Sequence, residues 1–507
     1  MTFTAAARAA VLSRLWGALA REPIPGIAGR EHDGSTLVVR LADGRALTGP
    51  ADAAEPFADA PAGLRIGGHD DPVALITDLV PGPAGARLAA ELADSVTNLA
   101  RSRAAAPEPD RGTPYLTRSP DLADLEQCVV DGHPLHPLCR TRTGMSEAEV
   151  RAYAPEHRPV VHLREYAVPA GAWLSTGRGL PPRLLVHPWQ HEHVLPRYPW
   201  LSATGRTVAA RPLMSLRTLA PLDHPTAHVK TAVDVQMTSA VRIVSPAAVR
   251  NGPVVSALVG ELGTAAGLDV LRETAAGAVL IDGQPSRHLA MVLRQAPATG
   301  PGEVVMPLAA LCAPSPATGR ALLTEAVDLG YGGDPHPFAA ELVHLLLPPL
   351  LRLLHSGVAL EAHGQNTLVM LRTGQPARLY YRDLGGVRLS PARLAAAGIT
   401  TAPPHGDLAT DDPDELRTKL FAAVLSTVVG QLAATLRREY GTDPDTIWKL
   451  VAGTARDTYA DLPRTARPDA RALFAADLPV KAMTAMRLAD DPIHDLWTTV
   501  PNPLAGR

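Results

Sequence analysis

Cysteine is scarce in this chain: three residues, Cys128, Cys139 and Cys312, among 507. They are too few and too scattered for a disulfide framework, which fits a chain that works in a reducing cytoplasm. Aromatic residues make up only 4%, against 46% hydrophobic residues overall, so Leu, Ala and Val must fill the core. An excess of one charge is also missing. The 48 basic and 51 acidic residues leave a formal net charge of −3, which gives no electrostatic basis for nucleic acid or an anionic membrane as partner and favours small molecules. No long apolar run is free of interruptions. The Leu-rich stretch 341–360 contains Glu341, His344, Pro348, Pro349, Arg352 and His355, a composition that argues against a membrane span. At the N-terminus Arg8, Arg14 and Arg21 interrupt an apolar helical pattern, so the spacing predicts an amphipathic first helix and not a signal peptide. No G-x-x-x-x-G-K-[ST] phosphate loop occurs anywhere.

What is there reads as a folded α+β chain. Its 507 residues exceed the size at which one hydrophobic core stops growing, and 49 prolines and 41 glycines supply many turns. The first region pairs the opening helix with strand-like alternation over 35–49 and a helical run near 83–104. It ends in the breaker-rich RAAAPEPDRGTP, 103–114. Short β-like runs follow to about 300, where QAPATGPGE marks a second break. Helical patterns then dominate, at 337–356, 414–440 and 444–459. The expected division is therefore 1–108, 109–300 and 301–507.

Three stretches carry chemistry. TLVMLR (367–372) and ARLYYR (377–382) flank TGQP, the pattern of a β-hairpin with a four-residue turn. Such a turn sets 372 opposite 377 and Asn366 opposite Asp383, so EAHGQN and RDLGG meet. Glu361, His363, Gln365, Asn366 and Asp383 then gather at one hairpin end, with carboxylate and amide oxygens suited to a hard cation such as Mg²⁺. The alternative is an ordinary polar hairpin end. Upstream, an unbroken strand over TAVDVQMTSAVRIV would put Lys230, Thr238 and Arg242 on one face, and Ser215 and Arg217 would share a face in the same way. Cations and hydroxyls so arranged can hold a polyphosphate, although a solvated sheet face has the same pattern. The third stretch, DGHPLHPLCRTRTG, offers His133, His136 and Cys139 among Arg140 and Arg142. A metal site there lacks a fourth ligand and faces repulsion from the arginines. In HPWQHEHVLP (187–196), His187 reads as an N-cap with Pro188 first in a short helix that Pro196 ends. His193 lies roughly 200° around that helix from His191, which argues against zinc.

Taken in order, GHPLHP…RTRTG, HPWQ, SLRT, K…VQMTSAVR…SP…NGP, LLPPLL…EAHGQN and RDLGG resemble the nonribosomal-peptide-synthetase-independent (NIS) siderophore synthetases, of the aerobactin synthetase kind. The likeness covers roughly residues 130–390, with a weaker echo in KAMTAMRL (481–488). It implies a hand-like α+β fold, with a thumb (1–108), an antiparallel β-rich fingers region (109–300) and a mainly helical palm holding the hairpin (301–507). It also implies an ATP- and Mg²⁺-dependent ligase. Such an enzyme adenylates a citrate-, citryl- or succinyl-type carboxylate, then joins it to an amine or hydroxyl with release of AMP and pyrophosphate. A homodimer is implied by the resemblance alone.

Carried across, Ser215, Arg217, Lys230, Thr238, Arg242, His363, Gln365 and Asn366 resemble nucleotide contacts. His133, His136, Arg140, Thr238 and Arg242 resemble carboxylate-substrate contacts. Arg242, His363, Lys230 and His133 resemble the catalytic set, and Glu361 and Asp383 the Mg²⁺-associated acids. Arg140 stands where the family commonly has Lys. Two other readings stay open: a kinase-like phosphotransferase, whose acid, Asn and Asp order Glu361, Asn366 and Asp383 imitate, and a catalytically degenerate siderophore-binding protein.

Overall fold

Thr2 accepts a hydrogen bond from the Ala5 amide and so caps the opening helix, Phe3–Arg21. Val11, Leu12, Leu15, Trp16 and Leu19 line its buried face, and the Trp16 indole donates to the Pro50 carbonyl at 3.0 Å. In the computed structural model, which describes residues 2–238, 240–489 and 495–507, this helix packs on a long second one, Pro83–Ala105. A three-stranded antiparallel sheet, Ile27–Asp33, Thr36–Leu41 and Ala46–Pro50, completes the body. Its core also takes in Leu138, Cys139, Ala482, Ala485 and Leu488. The loop with the paired histidines and the far C-terminal helix Met483–Leu488 are thereby tied to the first hundred residues.

The β-like runs of the middle region form one eight-stranded antiparallel sheet. Its strands lie in the order Trp173–Gly177, Glu273–Ile281, Gln284–Gln295, Ala227–Thr231, Thr218–Pro221, Ser202–Pro212, Val161–Ala167 and Arg183–Val186. The helix Pro246–Ala266 lies across this sheet. A second sheet of four strands contains Glu303–Pro307, Thr367–Arg372 and Gln375–Tyr381, with Asp269–Val270 parallel at its edge. The largest core runs from Leu116 to Leu504 and joins this sheet to the C-terminal helices.

The three helical patterns of the last region appear as Pro335–His355, one continuous run from Pro413 to Tyr440, and Pro444–Asp461. The middle run passes through a wide π-helical stretch, Ala422–Val429. Pro335–His355 and Pro413–Tyr440 are long and apolar enough to cross a membrane, yet most of each is packed inside the fold. Leu342, Leu346, Leu350 and Leu354 of the first, with Leu420, Val424 and Leu425 of the second, lie in the common core.

Three local expectations are corrected. The hairpin turns on two residues, not four: Arg372 faces Gln375, and Thr373 and Gly374 take φ of 50° and 84°, as a tight hairpin turn requires. A bulge between Met370 and Leu371 then shifts the register, so Thr367 faces Tyr381 and the Asn366 carbonyl accepts from the Arg382 amide, not opposite Asp383. The strand over 227–242 is broken into Ala227–Thr231, Val233–Met237 and Ala240–Arg242, the last two antiparallel about Thr238 at φ 55°. Thr238 and Arg242 therefore meet across a turn, not on one strand face; Ser239 lies outside the described residues. Ser215 and Arg217 sit in a turn around Leu216, φ 64°, ahead of the strand Thr218–Pro221.

Candidate functional site

Lys230 projects from the centre of the large sheet, where its strand pairs with Gln284–Gln295 and Thr218–Pro221. Its ammonium meets both oxygens of Asp383 at 2.9 Å. Asp383 follows the hairpin at φ 71° and accepts the Gly385 amide, capping the turn Leu384–Gly386. Burial opposes its charge, but Lys230, Arg217 and Arg294 overcome this and hold the carboxyl far below the usual range.

Beside this pair two guanidinium groups stand close together. Arg217 donates to the Ile243 carbonyl; Arg242 donates to the Met237 carbonyl at 3.2 Å and to Thr238 Oγ1 at 3.1 Å. Among the described residues the Nε of each is buried without a partner. Burial, then Arg217 and Arg142, push Arg242 down to about 9. Buried polar groups are nearly always bonded, so two unanswered guanidinium donors, crowded by other cations, make a place prepared for an anion.

The segment that leads into the hairpin strand Thr367–Arg372 supplies Glu361, His363, Gln365 and Asn366. The His363 Nδ1 accepts the Gln365 amide at 3.2 Å, and its carbonyl accepts the Asn366 and Thr367 amides. Asn366 donates to the Glu361 carbonyl. Glu361 and Asp383 both act on the His363 and Tyr381 side chains, so the two acids share one neighbourhood. Gly386 makes room for Glu361: a Cβ there would fall 2.1 Å from Oε2. Burial lowers His363, and burial followed by His363, Arg14, Lys481 and Arg242 lowers His133 to about 3. Both rings are neutral at pH 7.

The remaining residues are placed as follows. His133 and His136 accept backbone amides through Nδ1, from Leu135 and Leu138, and their rings meet edge to face at 6.1 Å. Cys139 lies against Arg14 and Ser95, and among the described residues it joins no metal-holding group with the two histidines. Arg140 turns to Glu156 at 3.2 Å and to the Val129 and Val130 carbonyls, where it holds the loop. Ser215 gives its hydroxyl to Thr218 Oγ1 at 2.9 Å. In HPWQHEH, His187 caps the helix Pro188–His193 as expected. Pro196 belongs to a following 3₁₀ turn, Leu195–Arg197, and does not end the helix. Gln190 braces the strand before Thr238, exchanging hydrogen bonds with Asp234 at 2.9 and 3.1 Å. His191 bonds Tyr166, while His193 pairs with Glu149. Among the described residues Glu149, Glu192 and His193 are the one trio of His, Cys and acid side chains close enough to share an ion; Glu192 and His193 are exposed.

The motif reading did not single out Lys419, Asp495 or Arg294, and it met Lys481 only as the first residue of KAMTAMRL, with no role. Lys419 stands 3.8 Å from Glu361 and 3.3 Å from Asp495, and Lys481 lies 2.5 Å from Asp495. The sequence holds four lysines, Lys230, Lys419, Lys449 and Lys481, so all but one converge on these acids. That scarcity was a visible signal.

Comparison with known proteins bears on this arrangement. The model of the IucA / IucC family matches residues 121–176 and 183–313, which hold the histidine loop and both arginines. A second model, the ferric iron reductase FhuF-like transporter, matches 336–495. Staphyloferrin A synthase of Staphylococcus aureus is 27% identical over 431 residues, spanning 76% of this chain and 73% of its own. The chain is similar to the NIS siderophore synthetases. Solved structures extend the likeness to the whole length of the chain. The petrobactin biosynthesis protein AsbB from Bacillus anthracis superposes with a TM-score of 0.81 at 18% identity, over 99% of this chain and 96% of that one. ATP-bound aerobactin synthetase IucA from Klebsiella pneumoniae gives 0.80 at 18% identity, over the full length of both. The mixed helix and antiparallel-sheet fold is therefore that of the siderophore synthetases.

Proposed function

We propose that this protein is an ATP-dependent ligase that adenylates a citrate-, citryl- or succinyl-type acid and condenses it with an amine or hydroxyl in siderophore biosynthesis. The carrying observation is the pair of buried guanidinium groups, Arg217 and Arg242, with unanswered Nε atoms beside the Lys230–Asp383 pair. An ionised carboxylate has no viable leaving group. In the first step its oxygen attacks the α-phosphorus of ATP; the bond to pyrophosphate breaks, and pyrophosphate leaves with the electron pair. The nucleophile then attacks the acyl carbon, AMP leaves with the electrons of the anhydride bond, and the nucleophile's proton passes to solvent.

In this reading Arg242 neutralises charge that grows at the α-phosphate, Arg217 and Lys230 hold the neighbouring phosphates, and Thr238 keeps Arg242 in place. Fixed donors of this kind act mainly by stabilising developing charge. His363 and His133, both neutral, are hydrogen-bonding partners of the acid; Gln365 and Asn366 shape the nucleotide side, and Ser215 borders the phosphates. Glu361 and Asp383 offer the hard oxygen donors Mg²⁺ prefers, and the side-chain-free Gly386 leaves Glu361 its place. When bound, the ion would shield phosphate charge and polarise the phosphoryl oxygens. The thumb, fingers and palm are assigned to 1–108, 109–300 and 301–507. One core drawn mainly from the first hundred residues and another drawn mainly from residues after 300 support this division. The use of ATP places the reaction in the cytoplasm.

The likeness of 336–495 to a reductase-like family is read as shared fold. That stretch contains no cysteine and so offers no thiolate to an iron–sulfur cluster. The test is a screen of citrate, succinyl-hydroxamates and 2-oxoglutarate for ATP-dependent hydroxamate formation, with hydroxylamine as surrogate nucleophile. AMP and pyrophosphate in step with hydroxamate are expected. Production of ADP would mean a phosphotransferase, and ATP binding without turnover on any acid would mean a binding protein.

A further inference from the structure

Two loops from different sheets make the phosphate end of the site, and one carboxylate touches both. Glu126 closes the short helix Leu122–Glu126. Its Oε2 accepts the Met214 amide at 2.8 Å, one residue before Ser215. Its Oε1 accepts from the Arg382 guanidinium at 2.5 Å, one residue before Asp383. Arg382 also donates through Nε to the Gln365 carbonyl at 3.1 Å and through its amide to the Asn366 carbonyl at 3.0 Å. Consecutive residues thus face two ways: Arg382 reaches Glu126 while Asp383 reaches Lys230.

The helix that carries Glu126 is fixed to the large sheet. Arg211, near the end of the strand Ser202–Pro212, clasps Asp121 and Asp124, and Gln127 donates to the Pro212 carbonyl. The Glu126 and Arg382 side chains are 0% and 4% exposed. Stability alone does not explain such a pair, because burying two charges costs about as much as their attraction returns and an apolar pair of like volume often does as well. What an apolar pair could not do is answer a backbone amide on one loop and hold a guanidinium on the other.

We infer that Glu126 is a positioning residue of the ligase: through Met214 and Arg382 it sets the spacing between the Ser215–Arg217 turn and the Gln365–Asp383 side of the nucleotide site. The inference rests on the function proposed above, and its substrate is ATP.

The test compares the full-length chain with Glu126→Gln, which keeps shape but loses charge, and Arg382→Lys, which keeps charge but loses the forked geometry. Affinity for ATP in the presence of Mg²⁺ is measured by calorimetry, the KM for ATP and kcat by hydroxamate formation, and folding by circular dichroism and thermal unfolding. Both variants are expected to fold, to bind ATP about tenfold more weakly and to lose on the order of 10²-fold in kcat, as a site misplaced by about an ångström does. A purely structural role would lower the unfolding temperature and leave the KM for ATP unchanged. Folded variants that bind ATP within about twofold of the parent, well under the 1.4 kcal/mol of a tenfold change, would overturn the inference. If Glu126→Gln does not fold, Arg382→Lys decides. If the parent binds ATP but acts on no acid, the ligase reading fails, and the affinity comparison still decides the positioning.

Discussion

Replacing Lys230 by alanine removes a cation that touches both oxygens of Asp383 at 2.9 Å. The lysine side chain is 7% exposed and the aspartate 29%, so the pair lies between bulk water and a dry interior. At an effective dielectric near 20, unit charges about 4 Å apart attract by about 4 kcal/mol. Removing one partner of a buried pair costs roughly 3–5 kcal/mol. Arg217 and Arg294 also act on Asp383 and remain in the variant, which brings the expected loss to about 2–3 kcal/mol. A double-mutant cycle with Asp383→Ala, read by urea unfolding, isolates the coupling and should return about 2 kcal/mol at pH 7. The pH dependence fixes the sign. Asp383 is ionised in the folded chain far below the value of an unfolded aspartate, so its stabilisation is complete above about pH 5. It drains away as the pH falls through and below the unfolded value of about 3.9. The coupling should therefore hold at pH 7, at pH 5.5 and still at about pH 3, where the folded carboxyl remains ionised, while the total stability that Asp383 adds over alanine is already falling. A coupling under about 0.5 kcal/mol at pH 7 would show a solvent-screened pair, and one that grows on acidification would refute the charge assignment outright.

Arg242→Ala and His363→Ala should each lower AMP formation by on the order of 10²-fold or more while unfolding is unchanged; near-normal turnover in both would remove them from the site. With His133 at about 3 and His363 lowered by burial, kcat/KM should be flat from about pH 7 to 8. A rate limb near 6.5 that disappears in His363→Gln would contradict this. The same rings bind protons more weakly folded than unfolded, so acidification below about 6.5 should also lower stability. Gly386→Ala would drive a Cβ to 2.1 Å from Glu361 Oε2, whereas Gly385→Ala meets nothing closer than 3.5 Å. The Mg²⁺ needed for half-maximal pyrophosphate release should rise about tenfold or more in the first and little in the second, as loss of an orienting contact commonly does. Equal responses would separate Glu361 from the metal.

The elements that depend on local periodicity were legible. An apolar stripe repeated over 337–356 can only be satisfied by a helix buried on one face, and Pro335–His355 is that helix. Register was not legible, because it depends on two features with no periodic signature. A two-residue turn at Thr373 and Gly374 moved the hairpin pairing one way and a bulge at Met370 moved it back part of the way. The break at Thr238 escaped for a similar reason: threonine favours strands, and only the fold imposes its positive φ. Motif spacing found Lys230, Arg242, His363 and Asp383 because each lies in a short quotable run. Lys419 and Asp495 come from separate elements, and only the tertiary fold brings them to Glu361.

Arginine carries nearly all the positive charge of this chain, and lysine is kept for four positions. Three of those amines crowd around Asp383, Glu361 and Asp495, while Lys449 stands 71% exposed beside Asp445. To a lysine-directed reagent three of the four targets lie in the proposed site, with one surface lysine as an internal control. Reductive methylation with ¹³C-formaldehyde would turn that economy into a spectrum in which most lysine signals report directly on what enters between the two sheets.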